Sequence, residues 1–339
     1  MISVVIPAYN AASTLGDCLQ AIRGSSYTDY ELIVVDDASR DETAQMAERY
    51  GSRVIRLSHN AGAAKAKNVG AHEAQGDVIL FTDADILVQP DTLELIMQDL
   101  GDPAVSGVVG LLGPKLRYGN LSSQFKNLWM HYTYRRLAVR TGTRHGVGLF
   151  FTSLAAIRRE VFEQLGGFDT HYRGASVTED IEFGQRLMSA GHKIILDARL
   201  EVEHLKHYTL GSLLRTDLQR AFGLSKTWLR KKLEPAARQG GQKYYASVPW
   251  FFMLGVPLAW VLPVMLLLAL WSGSAVWFWL ALLDYLAILV VNAPFLNALR
   301  AARGWLFSLQ CCLLLPVDLW VSGLGVLWSM ADYAAGNRY

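Results

Sequence analysis

From residue 248 to residue 330 the chain is dominated by Trp, Leu, Val, Phe and Ala with very few charges, whereas up to about residue 243 charged and apolar residues intermingle. Such a division leaves few architectures open. The first part must fold around a core in water. The second exposes enough apolar surface to face lipid, where each backbone group must be bonded within its own helix. Three apolar segments, at about 249–271, 275–296 and 305–330, are each long enough to cross roughly 30 Å of hydrocarbon. The first two would form a hairpin through the short turn at 272–274. Pro316 and Asp318 interrupt the third, which leaves open whether it spans or turns back into the leaflet it entered.

The 339 residues carry a formal net charge of only +2, which argues against a nucleic-acid binder, since phosphate recognition leaves a strong excess of Lys and Arg. Cys18, Cys311 and Cys312 show neither disulfide nor zinc spacing. Met1 runs directly into the apolar pattern of residues 2–6, leaving no room for a signal peptide. With the positive-inside rule, which assigns the basic stretch 206–243 and the Arg300 to Arg303 loop to the cytoplasm, the expectation is an inner-membrane protein with its water-soluble part on the cytoplasmic face.

Residues 1–100 alternate short β-branched runs with helical patterns. The runs are SVVIP at 3–7, ELIVV at 31–35, RVIRL at 53–57 and DVILF at 77–81. Continuous apolar strands separated by helices predict a doubly wound, mostly parallel α/β sheet, covered on both faces. Helix starts are marked by a capping-box pattern at 39–42, by Asn60 and by residues 91–94. Residues 121–139 mix Phe125, Trp129, Tyr132 and Tyr134 with Lys126, Arg135 and Arg136. They read either as an interfacial helix or as a helix packed on the domain. The stretch from Lys206 carries Arg215, Arg220, Lys226, Arg230, Lys231, Lys232, Arg238 and Lys243, with Leu recurring at helical spacing. It reads as a surface helix lying against an anionic bilayer. No internal repeat supports a transporter built from repeated halves.

Ligands of an open parallel sheet bind beyond the carboxyl ends of its strands. Pro7, Ala8, Tyr9 and Asn10 follow the first strand, Asp36 and Asp37 the second, Asp83 and Asp85 the fourth. All three clusters therefore land on one edge. The first turn lacks a glycine-rich phosphate loop, which disfavours nicotinamide and flavin enzymes and nucleotidyltransferases. Two aspartates one residue apart offer another way to hold a diphosphate, because carboxylates bind Mg²⁺ or Mn²⁺ and the ion bridges to phosphate.

VVIPAYN at 4–10, VVDDAS at 34–39, NAGAAKAKN at 60–68 and TDAD at 82–85 resemble family 2 glycosyltransferases of the GT-A, Rossmann-like fold. So do GGFD at 166–169, the pair Glu179 and Asp180, and RLMSAG at 186–191. The resemblance spans about residues 1–205 and implies inverting transfer from a nucleotide diphosphate sugar, assisted by a divalent ion, Mn²⁺ or Mg²⁺. By that resemblance Pro7, Ala8, Tyr9 and Asp37 would hold the nucleoside, Asp37 reading the base edge, with Asn10 also in the substrate site and Lys67 near a phosphate. Asp83 would face the ribose or the metal, Asp85 would bind the metal, and His204 would complete its site. Gly148 would border the donor sugar, Glu179 and Arg186 would belong to the substrate site, and Asp180 would be the general base. The implied organisation is a catalytic domain at 1–205, basic interfacial helices at 206–247 and about three membrane helices at 248–332. The acceptor would be lipid-linked or membrane-proximal, or alternatively a polyprenyl phosphate. A transporter or scaffold sensing sugar nucleotides is the reading from a different class. Oligomeric state leaves no mark in the sequence.

Overall fold

The structure, a computed structural model, describes residues 1–141, 146–172, 178–233 and 248–337. Strands β1 (Ile2–Ala8), β2 (Tyr30–Asp36) and β3 (Arg53–Arg56) alternate with helices α1 (Ala12–Arg23) and α2 (Thr43–Arg49). Then come α3 (Ala63–His72), β4 (Val78–Thr82), the short β5 (Ile86–Leu87), α4 (Thr92–Asp99) and β6 (Val105–Leu112). After α5 (Leu121–Thr141), β7 (Leu154–Arg158), α6 (Arg159–Gln164), α7 (Glu179–Ser189) and β8 (Lys193–His204) complete the sheet, in the order β3-β2-β1-β4-β7-β6-β8-β5. Strands β1 to β4 pair in parallel, and β1 and β4 are fully apolar in their centres because helices cover both faces. The antiparallel β7 is inserted between β4 and β6, and β5 pairs antiparallel with the end of β8. The fold is therefore a mostly parallel α/β sheet made mixed by β7 and β5, as expected from the strand and helix alternation.

Two expected helix starts are built differently. Ser39 accepts from the Asn10 amide at 2.9 Å and so ties two edge loops together instead of capping α2. Asn60 does not cap α3; the Asp37 carboxylate accepts from the Ala61 and Gly62 amides at 2.7 and 2.9 Å and organises that turn. The sequence at 176–179 also fits a capping box for α7; residues 176 and 177 lie outside the described residues, and Thr178 makes no side-chain cap bond.

Helix α8 (Leu210–Leu233) leads towards α9 (Trp250–Ser272), α10 (Ala275–Val291), α11 (Ala293–Arg303) and α12 (Trp305–Ala334). Among the described residues α9 and α12 are long and apolar enough to cross a membrane, and α10 with α11 would add a third span only as a pair bent by 66°. The second apolar segment thus does not run unbroken to residue 296. Pro294 disfavours helical backbone in the residue before it, and the chain turns at the buried Asn292. Phe295 then packs on Phe125 and Tyr132 of α5, and Arg303 donates to Gln124 Oε1 and to the Pro114 carbonyl, both at 2.7 Å. Neither Pro316 nor Asp318 interrupts the third segment, since α12 continues through both. A membrane helix tolerates proline where neighbouring helices satisfy the freed groups.

Helix α5 is a packed helix: Phe125, Leu128, Trp129, Met130 and Tyr134 are all buried. Helix α8 does not lie free on a surface either. It rests on α12, with Phe222 against Trp328 and Gly325 so close that a Cβ would come within 2.3 Å of the Leu218 carbonyl. The soluble and apolar parts therefore share one helical interface.

Candidate functional site

Parallel pairing in register, Ala8 opposite Asp36 and Val5 opposite Phe81, carries β1, β2 and β4 to a common edge. There Asn10 and Ala38 adopt positive φ, 50° and 60°, a conformation costly for alanine and found where the surroundings enforce it. Beyond β4, Ser153 Oγ donates to Asp83 at 2.8 Å. The β5 and β8 pairing sets Ile86 opposite His204 and so brings the His204 Nε2 within 3.2 Å of Asp85 Oδ2 across 119 residues of sequence.

A cavity of about 440 Å³ opens at this edge and is lined by Pro7, Tyr9, Asn10, Lys67, Asp83, Asp85, Asp180 and His204. Five other residues expected at the site do not line it. Ala8 is buried in the sheet. The Asp37 carboxylate is buried and accepts from the Ala61 and Gly62 amides of the turn before α3. Gly148 belongs to a segment that the Val147 amide pins to the Ile194 carbonyl of β8. Glu179 is buried and ion-paired with Lys67 Nζ at 3.0 Å. Arg186 clamps a turn: it pairs with Glu182 and donates to the Leu165 and Gly167 carbonyls at 2.7 Å. That turn needs its glycines, as Gly166 and Gly167 both have φ above 70°, and Asn68 locks it by bonding Phe168 through both amide atoms. The GGFD signature is thus a structural corner that sets the height of α7 and, with it, Asp180.

Sequence reasoning missed another wall of the cavity: Ser123, Lys126, Asn127 and Tyr134 from α5, Thr216 and Arg220 from α8, and Lys206 with Tyr208. Lys126 and Arg220 were visible in the sequence only as part of a basic, aromatic pattern suited to a bilayer surface. The structure turns both inward: α5 packs on α9 through Trp129 and Phe252, and α8 on α12 through Phe222 and Trp328.

Burial pushes the Asp180 carboxyl up to about 7, helped by the neighbouring Glu179 charge and opposed by Lys67. Burial and then repulsion from Asp85 also raise Asp83, against the pull of Lys67. For Asp85 burial acts in the same direction but is outweighed by His204, so this carboxyl lies below the usual range. Lys67 has its Nζ on Thr152 Oγ1 at 2.5 Å and on Glu179; burial would discharge it, yet Glu179, Asp83 and Asp180 hold it protonated. Its charge is therefore committed to the carboxylates behind the cavity. Replacing it, Lys67→Met, should destabilise the fold by about 3–5 kcal/mol, because a buried Glu179 is left without its cation. Thermal unfolding followed by near-ultraviolet circular dichroism checks this.

Two carboxylates and an imidazole are a suitable donor set for a hard divalent ion. Asp85 and His204 already converge, and the mutual repulsion of Asp83 and Asp85 is what a cation relieves. Among the described residues no three such groups are gathered closely enough to form a cage by themselves, so the fit rests on the Asp85 and His204 pair, with Asp83 adjacent.

Residues 3–166 match the family model described as Glycosyl transferase family 2. The chain is 27% identical over 253 residues to the O-antigen chain rhamnosyltransferase RfbN of Salmonella typhimurium, covering 70% of this chain and 77% of that one. To the glycosyltransferase AglE of Haloferax volcanii it is 24% identical over 200 residues, 57% of this chain and 63% of the other. Among solved structures, the mannosyltransferase PcManGT from Pyrobaculum calidifontis, in complex with GDP-Man and Mn²⁺, superposes with a TM-score of 0.58 at 21% identity. That alignment covers 96% of this chain and 87% of the other.

Proposed function

We propose that this chain, whose residues 3–166 are a family 2 glycosyltransferase domain, transfers one sugar from a nucleotide-sugar donor, with inversion, to a hydroxyl of a lipid-linked acceptor at the cytoplasmic face of a membrane. The observation that carries this reading is the presence in one cavity of a buried carboxylate, Asp180, and a separate carboxylate and imidazole pair, Asp85 with His204. Single displacement needs the two functions apart. A base takes the acceptor proton on one side while the diphosphate departs on the other.

Asp180 is the base, and its raised titration suits proton abstraction near neutral pH. Pro7, Tyr9 and Asn10 line the nucleoside end. Lys67 and Glu179 act behind the site by holding α7 and the charge around Asp180. A divalent ion on Asp85 and His204, with Asp83 beside them, would shield the negative charge of the departing diphosphate. In this reading residues 1–205 are the catalytic domain, 206–247 the connection along the bilayer surface, and 248–332 the membrane region.

A lipid-phase acceptor is supported by α5 and α8, which wall both the cavity holding Asp180 and the apolar cavity against the long apolar helices α9 and α12. The test is thermal unfolding of the full chain with a panel of sugar nucleotides, with and without Mn²⁺. One donor should raise the melting temperature in proportion to RT ln(1 + [L]/Kd), and more so with the metal. No response to any sugar nucleotide would refute the reading.

A further inference from the structure

Two opposite charges line the catalytic cavity without an ion-pair partner among the described residues: Asp180 on α7 and Arg220 on α8. The Asp180 carboxylate is buried, and its Oδ1 accepts from the Ile181 amide at 2.7 Å. The Arg220 guanidinium donates to Tyr134 Oη at 3.1 Å and Met130 Sδ at 2.9 Å, lies over the Trp129 ring, and has a buried Nε without a partner. A phenol, a thioether and a ring face are all neutral, so none of them cancels the cationic charge.

The other charged groups around Asp180 leave room for this one. Burial raises its carboxyl and Glu179 adds to that, while Lys67 from α3, the Ile181 amide and Arg220 from α8 oppose both. Lys67 is committed to Glu179, at 3.0 Å. On the remaining walls Lys126 of α5 is ion-paired with Asp217, and Ser153 donates to Asp83. Lys206 joins His204 in opposing the burial of Asp85. Arg220 is therefore the cation of this cavity whose field is left for Asp180. In an enclosed site such a field acts well beyond contact distance.

The position of Arg220 is set from the membrane side. Gly325 of α12 approaches α8 so closely that a Cβ would stand 3.0 Å from Ala221 Cβ and 3.1 Å from the Phe222 nitrogen, the two residues that follow Arg220. We propose that Arg220 is a positioning residue: carried on a helix seated against α12, it holds the Asp180 charge ready for proton abstraction and so couples the membrane helix to the chemistry. This rests on the reading of Asp180 as the base and names what keeps that base competent.

The test is an infrared difference titration of the protonated carboxyl band, on the full chain in phosphatidylcholine nanodiscs. The Asp180 component is the part missing from Asp180→Asn, and no ligand is needed. Its midpoint, about 7 in the wild type, should rise by about one pH unit in Arg220→Gln, the low end of what a nearby opposite charge contributes. Arg220→Lys should hold it close to the wild-type value. Arg140→Gln, which removes an exposed positive charge from α5, should leave it in place. Gly325→Ala displaces α8 from outside the cavity and should raise the midpoint too, which decides the matter if Arg220→Gln does not fold. An unmoved midpoint in Arg220→Gln, or an equal rise in Arg140→Gln, overturns the proposal; an unmoved midpoint in Gly325→Ala overturns the coupling to the membrane helix. Nucleotide release from the sugar nucleotide selected by the melting panel, with Mn²⁺ and with water as acceptor, is then followed against pH, and its rising limb should shift with the midpoint. A shifted midpoint with a fixed limb upholds the action of Arg220 on Asp180 and refutes Asp180 as the base.

Discussion

Asp180→Asn should bind its sugar nucleotide as the wild type does and turn over roughly 10²–10⁴-fold more slowly, the range that a positioned general base contributes. The pH dependence follows from burial. A carboxyl pushed up to about 7 is largely protonated at pH 6 and ionised at pH 8, so the turnover of the wild type should rise through pH 7 and level off above it. An ordinary aspartate would place that limb near pH 4. Stability runs the other way. Since the folded protein prefers the protonated form, the contribution of this group is lost as pH climbs from the unfolded value near 4 towards 7. Asp180→Asn should therefore melt higher than the wild type at pH 8, which separates a lost base from a lost fold. Wild-type turnover in this variant would remove Asp180 from the mechanism. A mild defect would instead indicate an acceptor that is already ionised, such as a polyprenyl phosphate, for which no proton need be taken.

Loss of the divalent ion should be comparably severe. In chelator, turnover should fall by about 100-fold or more, because the departing diphosphate loses several kcal/mol of charge stabilisation, and added Mn²⁺ should restore it. Asp85→Ala should mimic the chelator and be insensitive to it. The same variant should lose the Mn²⁺-dependent part of the donor's thermal stabilisation, which is read without any acceptor. His204→Ala should act in the same direction, because its Nε2 lies 3.2 Å from the Asp85 carboxylate. Full turnover in chelator would show that Asp85 and His204 form a plain ion pair. In that case the diphosphate charge must be met by side chains alone, with Lys206 and Arg220 the cations lining the cavity that are not committed to a buried carboxylate.

How far this molecule could be read in advance depended on the range of the interaction involved. The four β-branched runs become β1 to β4 with ends within a residue or two of expectation, because strand burial on both faces writes itself into adjacent residues. Parallel topology then carries Tyr9, Asp83 and Asp85 to one edge without further information. Local patterning could not say that the Asp37 carboxylate would be engaged by the Ala61 and Gly62 amides, or that Arg186 would brace a glycine corner. Both motifs look the same whether they touch a substrate or their own backbone.

The apolar C-terminal quarter was equally plain in composition, since lipid-facing helices need a long uncharged run. Its break at Asn292 and its continuity through Pro316 were not, because each depends on whether neighbouring helices satisfy the backbone there. Identities along the chain determined the strands, the sheet edge and the division between water-soluble and membrane parts, all of which follow from short-range periodicity and solubility. Tertiary packing alone decided that His204 meets Asp85, that Lys67 neutralises Glu179 and that Arg220 turns inward between two cavities. These are contacts between residues 119, 112 and more than 80 positions apart in the chain, brought together by strand register and helix docking.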